Sequence, residues 1–216
     1  MIYNSLRKRI YTSILLLLLV YLIFKFPFIL IYTLIVLGTI SCIEFFNLIQ
    51  KNKWDRFISL LVNCLFAIYI FIYCIFFFYF TALIHLKIIL IVLLLSCVAS
   101  DIGGFVFGKI FKGPKLTKIS PKKTISGSIG SLICSGVIFS ILIFYFTKNF
   151  EFTYLLIGTL ISFACQLGDL LFSYLKRRVR LKDTGNFLPG HGGVLDRIDG
   201  TLIGIPFGFL IMGLIL

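Results

Sequence analysis

The sequence predicts an all-α, polytopic membrane helix bundle, and three observations support this fold class. The chain of 216 residues has 60% of them in the hydrophobic set and only 13% charged. Its mean hydropathy is +1.09, and a soluble domain of this size could not bury the corresponding amount of apolar surface. The apolar residues form long runs, and the basic residues lie almost entirely in the short segments between those runs.

Seven apolar segments approach the length of roughly 20 residues that a helix needs to cross the hydrocarbon core. Counts of six or eight also fit, because the first segment is short and the third could contain a break. The first segment follows three basic residues, as a secretory signal does, but no small-residue cleavage site follows it, so we expect it to remain as a helix. The segments cover residues 10–24, 27–48, 57–80, 86–108, 127–146, 153–175 and 198–216.

The basic residues predict the topology, because cytoplasmic loops of membrane proteins are enriched in Lys and Arg. Eighteen of the 21 basic residues lie in four segments, and only Lys25, Lys87 and Lys148 lie elsewhere. This alternation predicts a multi-pass protein of the cell (inner, cytoplasmic) membrane with its N-terminus in the cytoplasm and its C-terminus outside. The four segments cover residues 1–9, 51–56, 109–123 and 176–197.

The net charge of +13 predicts an interaction with membrane lipids. Basic residues placed between apolar runs face anionic headgroups and phosphates, so we expect no nucleic-acid partner.

No internal repeat or long linker divides the chain, so we expect residues 1–216 to form a single integral-membrane domain. Small residues at four-residue spacing predict that two of the helices pack closely. These residues are Ser100, Gly104 and Gly108 on one helix and Gly127, Ser131 and Ser135 on the next.

Two of the eight acidic residues, Asp101 and Asp169, lie within otherwise apolar helices. An ionisable side chain at membrane depth is costly, so function is the default expectation for both. Helical residues three, four and seven positions apart share a face. Gln166, Asp169, Ser173 and Lys176 therefore form one polar stripe that ends in a basic loop.

The segment 176–199 combines basic residues, glycines and carboxylates. Asp196 and Asp199 are three positions apart where the last helix should begin, which would direct both into the same space. The glycines of NFLPGHGG (186–193) would allow the backbone to approach a phosphate, with His191 as a donor or proton carrier. Carboxylates are hard oxygen ligands, so this pattern predicts a polyphosphate site with Mg²⁺. Neither a Walker A sequence nor GxGxxG is present, so nucleotide would bind in another way.

The segment 173–199, SYLKRRVRLKDTGNFLPGHGGVLDRID, closely resembles the signature of the phosphatidate cytidylyltransferase (CDP-diacylglycerol synthase) family. The resemblance extends to QLGDL (166–170), to ISPKKT (119–124) and to Asp101 with its following glycines. Residues 101–199 are thus the signature-bearing catalytic part, and the helices of residues 1–100 carry no signature. Two positions that are usually acidic in the family are Ser126 and Phe172 here.

The resemblance implies transfer of CMP from CTP to phosphatidic acid in phospholipid biosynthesis, giving CDP-diacylglycerol and diphosphate at a site that faces the cytoplasm. It also implies Mg²⁺, with or without a second cation, as the cofactor. Oligomeric state stays open, and a homodimer is one alternative. By resemblance, the metal ligands are Asp169, Asp196 and Asp199, and the catalytic residues are Asp169, Asp196, Lys176 and His191. The residues implied to contact substrate are Lys122, Lys123, Ser173, Arg177, Lys182 and Arg197.

Other functions compete with this interpretation. A CTP-dependent polyprenol or phytol kinase would share the membrane class and the nucleotide but would transfer the γ-phosphoryl group. A membrane transporter would also contain intramembrane acids, but it would need no CTP and would leave the PGHGG sequence unexplained. A CDP-alcohol phosphatidyltransferase would require a spaced DGxxAR pattern, which the chain lacks.

Overall fold

The computed structural model describes residues 14–15, 18–23, 25–52, 54–117, 119–120, 123–187 and 192–215. Six described helices are long and apolar enough to cross a membrane, which confirms the polytopic all-α fold class. They match the second to seventh predicted segments, whereas the first segment, 10–24, lies partly outside the described residues. The helices are α1 (Pro27–Lys51), α2 (Arg56–Ala82), α3 (Ile84–Phe111), α4 (Ile125–Thr147), α5 (Phe152–Arg178) and α6 (Leu195–Ile215).

Local sequence explains several helix ends. α1 begins at Pro27, because proline at the first helical position costs no hydrogen bond. The Thr124 hydroxyl caps α4 by accepting a 3.1 Å hydrogen bond from the Gly127 N–H. α5 ends where Arg180 adopts a left-handed conformation with φ of 58°, and the Leu181 N–H then bonds the Lys176 carbonyl at 2.9 Å.

The chain divides into two compact units, which are described separately. Unit 1 comprises Met1–Leu83 and Leu175–Ile198, and unit 2 comprises Ile84–Tyr174 and Asp199–Leu216. The helices α5 and α6 therefore contribute residues to both units. The expectation of a single membrane domain stays a prediction.

In unit 1, α1 and α2 pack through aromatic and small side chains. The rings of Phe45 and Phe66 stack with centroids 3.8 Å apart, and the Cys74 thiol donates to the Leu34 carbonyl at 3.6 Å. Outward-facing side chains of α2 such as Phe57 and Phe71 are 75% and 66% exposed. Apolar exposure on this scale is typical of a surface covered by lipid.

In unit 2, small residues bring α3 and α4 into close contact. A Cβ added to Gly104 would lie 2.6 Å from the Ser131 Oγ, and one added to Gly127 would lie 2.7 Å from the Gly104 carbonyl oxygen. The Ser135 hydroxyl then donates to the Gly158 carbonyl of α5 at 2.9 Å. The close packing predicted from the spacing of small residues is therefore confirmed.

Candidate active site

The polar side chains of unit 2 include an ion pair between two motif residues. The Lys123 Nζ lies 2.9 Å from the Asp169 Oδ2, although the two residues are 46 positions apart. Lys123 directly precedes the helix cap of α4, and two backbone hydrogen bonds fix its loop: Leu116 N–H to the Lys123 carbonyl, and Ile125 N–H to the Pro114 carbonyl. The side chains of the pair are 31% and 24% exposed, so both remain accessible to an incoming ligand.

A polar cavity of about 290 Å³ opens beside this ion pair. Asp101 and Asp169 both line it, and its wall is stabilised by the Ser128 hydroxyl, which donates to the Gln166 side-chain carbonyl. The other polar side chains of the wall are Ser100, Ser120, Lys123, Thr124 and Ser131. Carboxylate, hydroxyl and amide oxygens are donors of the kind that Mg²⁺ accepts.

The segment around Asp199 packs closely against α5 in unit 2. A Cβ added to Gly168 would lie 2.5 Å from the Asp199 carbonyl oxygen, and one added to Gly200 would lie 2.9 Å from the Asp169 Oδ1. The Asp199 carboxylate accepts a 3.0 Å hydrogen bond from the Gly200 N–H. Two of the three predicted metal ligands thus lie on adjoining helical turns.

In unit 1, the third predicted metal ligand, Asp196, is buried and engaged by protein donors. Its Oδ1 accepts from the Lys176 Nζ at 2.7 Å, and its Oδ2 accepts from the N–H groups of Thr184 at 2.8 Å and Gly193 at 3.0 Å. The Lys176 and Asp196 side chains are only 10% and 7% exposed. Asp196 also lies in the first turn of α6, where the helix dipole favours a negative charge. A cation at Asp196 would therefore have to share oxygens that already hold the loop and the lysine.

The remaining predicted residues are dispersed along the signature segment. The Arg177 guanidinium donates to the Leu181 carbonyl at 3.0 Å, beyond the end of α5. Ser173 is half-buried on α5, and Lys182 and Arg197 are exposed. His191 and Lys122 lie outside the described residues. Among the residues that the structure describes, no group of three or more His, Cys, Asp and Glu side chains could hold a metal, so substrate oxygens and water would have to complete its coordination.

The residues at the two positions where the chain departs from the family signature both contribute to the local structure. The Ser126 hydroxyl is within 3.1 Å of the Thr124 hydroxyl and accepts from the Gly113 N–H at 3.3 Å, so it stabilises the loop before α4. Phe172 is 5% exposed and belongs to the apolar interior.

Sequence reasoning did not select Glu44 as a site residue. Glu44 is 6% exposed on α1, and its carboxylate accepts a 2.9 Å hydrogen bond from the Thr184 hydroxyl, 140 positions away in the signature segment. The signal that selected Asp101 and Asp169, an acid within an apolar helix, is also present at Glu44.

Comparisons with known proteins agree with these motifs. A family model described as "Cytidylyltransferase family" matches residues 4–215. A phosphatidate cytidylyltransferase of Rickettsia bellii is 40% identical over 136 residues, covering 58% of this chain and 59% of that protein. Proteins with the same description from Staphylococcus haemolyticus and Helicobacter pylori are 44% and 42% identical, covering 50% and 52% of this chain and 42% of each relative. The chain spans about half the length of these curated relatives.

Proposed function

Because this chain belongs to the cytidylyltransferase family, we propose that it transfers CMP from CTP to phosphatidic acid, giving CDP-diacylglycerol and diphosphate. The observation that carries this proposal is that two motif aspartates each pair with a motif lysine, Asp169 with Lys123 and Asp196 with Lys176. The more exposed pair, Asp169 with Lys123, supplies a carboxylate for a cation and an ammonium group for a phosphate, which nucleotidyl transfer requires. The curated relatives named above carry the same activity in their descriptions.

The chemical step needs no strong base. A phosphate oxygen of phosphatidic acid is already anionic, and it attacks the α-phosphorus of CTP. The new P–O bond forms as the bond from the α-phosphorus to the oxygen that bridges to the β-phosphate breaks, and that bridging oxygen leaves with diphosphate. The protein therefore has to position the two phosphates and stabilise their charge.

We assign the lysines different roles on the basis of their burial. Lys123 is partly exposed at a polar cavity, so it can exchange its contact with Asp169 for a substrate phosphate. Lys176 is 8% exposed and bonded to Asp196, so it orients the loop that precedes α6. Arg177, Lys182 and Arg197 are exposed and can approach phosphates from the loop side.

Asp169 and the oxygens of its cavity fit Mg²⁺ best, with Asp199 on the adjoining turn. Bound there, the ion would neutralise charge on the α-phosphate and on the departing diphosphate. Asp196 fits a secondary role, because three donors from the protein already occupy its oxygens. A second cation stays part of the proposal.

The proposed site faces the cytoplasm of the cell membrane. If each of the six described helices crosses once, the connections 52–55, 112–124 and 179–194 fall on one side. Together with the adjoining helix ends, these connections form the segments 51–56, 109–123 and 176–197, which carry 15 of the 21 basic residues, as cytoplasmic loops do.

A reconstitution assay tests this proposal. Purified protein would be incubated with phosphatidic acid, CTP and Mg²⁺, and each component would be omitted in turn while lipid products are identified by mass spectrometry. We expect CDP-diacylglycerol only in the complete mixture. A phosphorylated polyprenol formed from CTP instead, or an activity on solutes that needs no CTP, would contradict the proposal.

A further inference from the structure

We propose that Glu44 is a positioning residue that holds the signature loop, defined here by its described residues 183–187 and 192–195, in the conformation that binds CTP. The inference rests on the proposed nucleotidyl transfer, and it assigns a role to a helix that lies outside the signature-bearing part of the chain. All of the residues that carry it lie within unit 1.

The Glu44 carboxylate accepts three hydrogen bonds, all from the signature loop. Its Oε2 accepts from the Thr184 hydroxyl and from the Leu195 N–H, each at 2.9 Å, and its Oε1 accepts from the Val194 N–H at 3.0 Å. A buried carboxylate is costly unless several donors compensate for lost water, and these three donors provide that compensation. Both carboxylate oxygens are therefore committed to the loop.

The donors lie at the two ends of the signature loop. Thr184 precedes the glycine-rich stretch, whereas Val194 and Leu195 follow it and form the N-terminal end of α6. Backbone N–H groups at a helix N-terminus have no partner within the helix, and they favour a negative charge. Glu44 thus caps α6 from a different helix and joins the beginning of the loop to its end.

Asp196 closes the same loop at a second point. It accepts from the Thr184 N–H and the Gly193 N–H, so Thr184 is held by both carboxylates, through its hydroxyl and through its backbone. Gly192 lies between these anchors with φ of 86°, a conformation that favours glycine. Gly192 and Gly193, two of the glycines expected to approach phosphate, therefore lie in backbone whose conformation depends on two buried carboxylates.

Two glycines of the loop are required by the position of Glu44. A Cβ added to Gly185 would lie 2.5 Å from the Glu44 Oε1, and one added to Gly193 would lie 2.5 Å from the Oε2. The carboxylate therefore lies directly against the loop backbone. This close approach makes the geometry testable by a compensating pair of substitutions.

The first test is the substitution Glu44→Gln. The amide keeps one acceptor oxygen but directs its NH₂ group at donors of the loop. The loop conformation that binds CTP therefore becomes a minor population. The apparent affinity for CTP then falls in proportion to the fraction of molecules whose loop is in the CTP-binding conformation. Because hydrogen bonds to charged groups are strong, we expect the KM for CTP to rise about 10- to 100-fold, while kcat at saturating CTP stays within about threefold.

A purely structural role for Glu44 makes the opposite prediction. Loss of fold would reduce the amount of active protein, and therefore kcat, while the surviving molecules would keep a normal KM for CTP. That result, or an unchanged KM with unchanged kcat, would overturn the proposal. The matched control is Glu151→Gln, because Glu151 is the only other glutamate and is exposed before α5. We expect that variant to keep the parental KM and kcat.

The second test uses the contact between Glu44 and Gly185. Gly185→Ala alone should raise the KM for CTP, because the added Cβ pushes the loop away from the carboxylate. Adding Glu44→Asp withdraws the carboxylate by one methylene, so the double variant should recover part of the lost affinity. If the fold increase in KM of the double variant equals the product of the fold increases of the two single variants, the two changes act independently, and that result would contradict the geometry.

The third test does not depend on activity. Arg180 and Lys182 are exposed trypsin sites beside the loop, whereas Thr184 is buried. Glu44→Gln should speed cleavage at these sites about tenfold or more in detergent-solubilised protein, because the loop opens more often. An unchanged cleavage rate would overturn the anchoring role. If the parental protein makes no CDP-diacylglycerol, the proposed function fails, and the trypsin comparison alone then decides whether Glu44 holds the loop.

Discussion

The two lysine–aspartate pairs differ in burial, and this difference predicts different consequences for Asp169→Asn and Asp196→Asn. The Lys176–Asp196 side chains are 10% and 7% exposed, so removing one charge leaves a buried ammonium group uncompensated. Breaking a buried pair costs roughly 3–5 kcal/mol of unfolding free energy. The Lys123–Asp169 side chains are 31% and 24% exposed, and a pair of this kind contributes about 0–1 kcal/mol.

We therefore expect Asp169→Asn to abolish CDP-diacylglycerol formation while the free energy of unfolding changes by less than about 1 kcal/mol. Asp196→Asn should abolish activity and also lower the free energy of unfolding by roughly 3–5 kcal/mol. Denaturant titration in mixed micelles measures the stability, and labelled-lipid formation measures the activity. Asp55→Asn is the matched control, because Asp55 is exposed in the connection between α1 and α2 and lies in no motif.

A double variant separates the contribution of the pair from that of its members. Lys176→Met combined with Asp196→Asn should cost less stability than the sum of the two single changes, because neither charge is then left buried alone. Equal stability of Asp196→Asn and the parental protein would refute the reasoning from burial. Asp169→Asn activity within about tenfold of the parental value, roughly 1.4 kcal/mol in barrier height, would show that Asp169 is not a principal metal ligand.

Two further predictions concern topology and nucleotide choice. Reporters fused after Gln50, Lys115 and Gly185 should report the cytoplasm, and those after Lys25, His85 and Asn149 the opposite side. The segments at the first three positions, 51–56, 109–123 and 176–197, carry 15 of the 21 basic residues. A cytoplasmic signal from Asn149 would contradict this topology. CTP and dCTP should both be used while ATP is poor, since contacts with the cytosine edge rather than the ribose would discriminate. Competition kinetics measure this preference, and equal turnover with ATP would refute it.

The sequence was sufficient to predict the fold class because apolar run length is a local property. Six predicted segments correspond to helices α1 to α6, and small residues at four-residue spacing predicted the contact between α3 and α4. These features need only neighbouring residues to be recognised.

The partners of the polar residues could not be predicted in the same way. Lys123 and Asp169 were each selected by motif, but nothing in a spacing of 46 residues indicates that they pair. Lys176 was implied to be catalytic by resemblance to the family, and the structure shows it buried against Asp196. Glu44 lies 140 to 151 positions from its partners, so its contact with the signature loop depends on tertiary structure alone.

The central claim is that a cytidylyl group moves from CTP to phosphatidic acid, and the position of a radiolabel in CTP tests it most directly. Purified protein would receive phosphatidic acid, Mg²⁺ and CTP labelled either at the α- or at the γ-phosphate, with the Asp169→Asn variant in parallel. We predict that α-label enters the lipid fraction, that γ-label leaves as diphosphate, and that the variant transfers neither. Label entering lipid from the γ-position and not from the α-position would show phosphoryl transfer instead and would contradict the account.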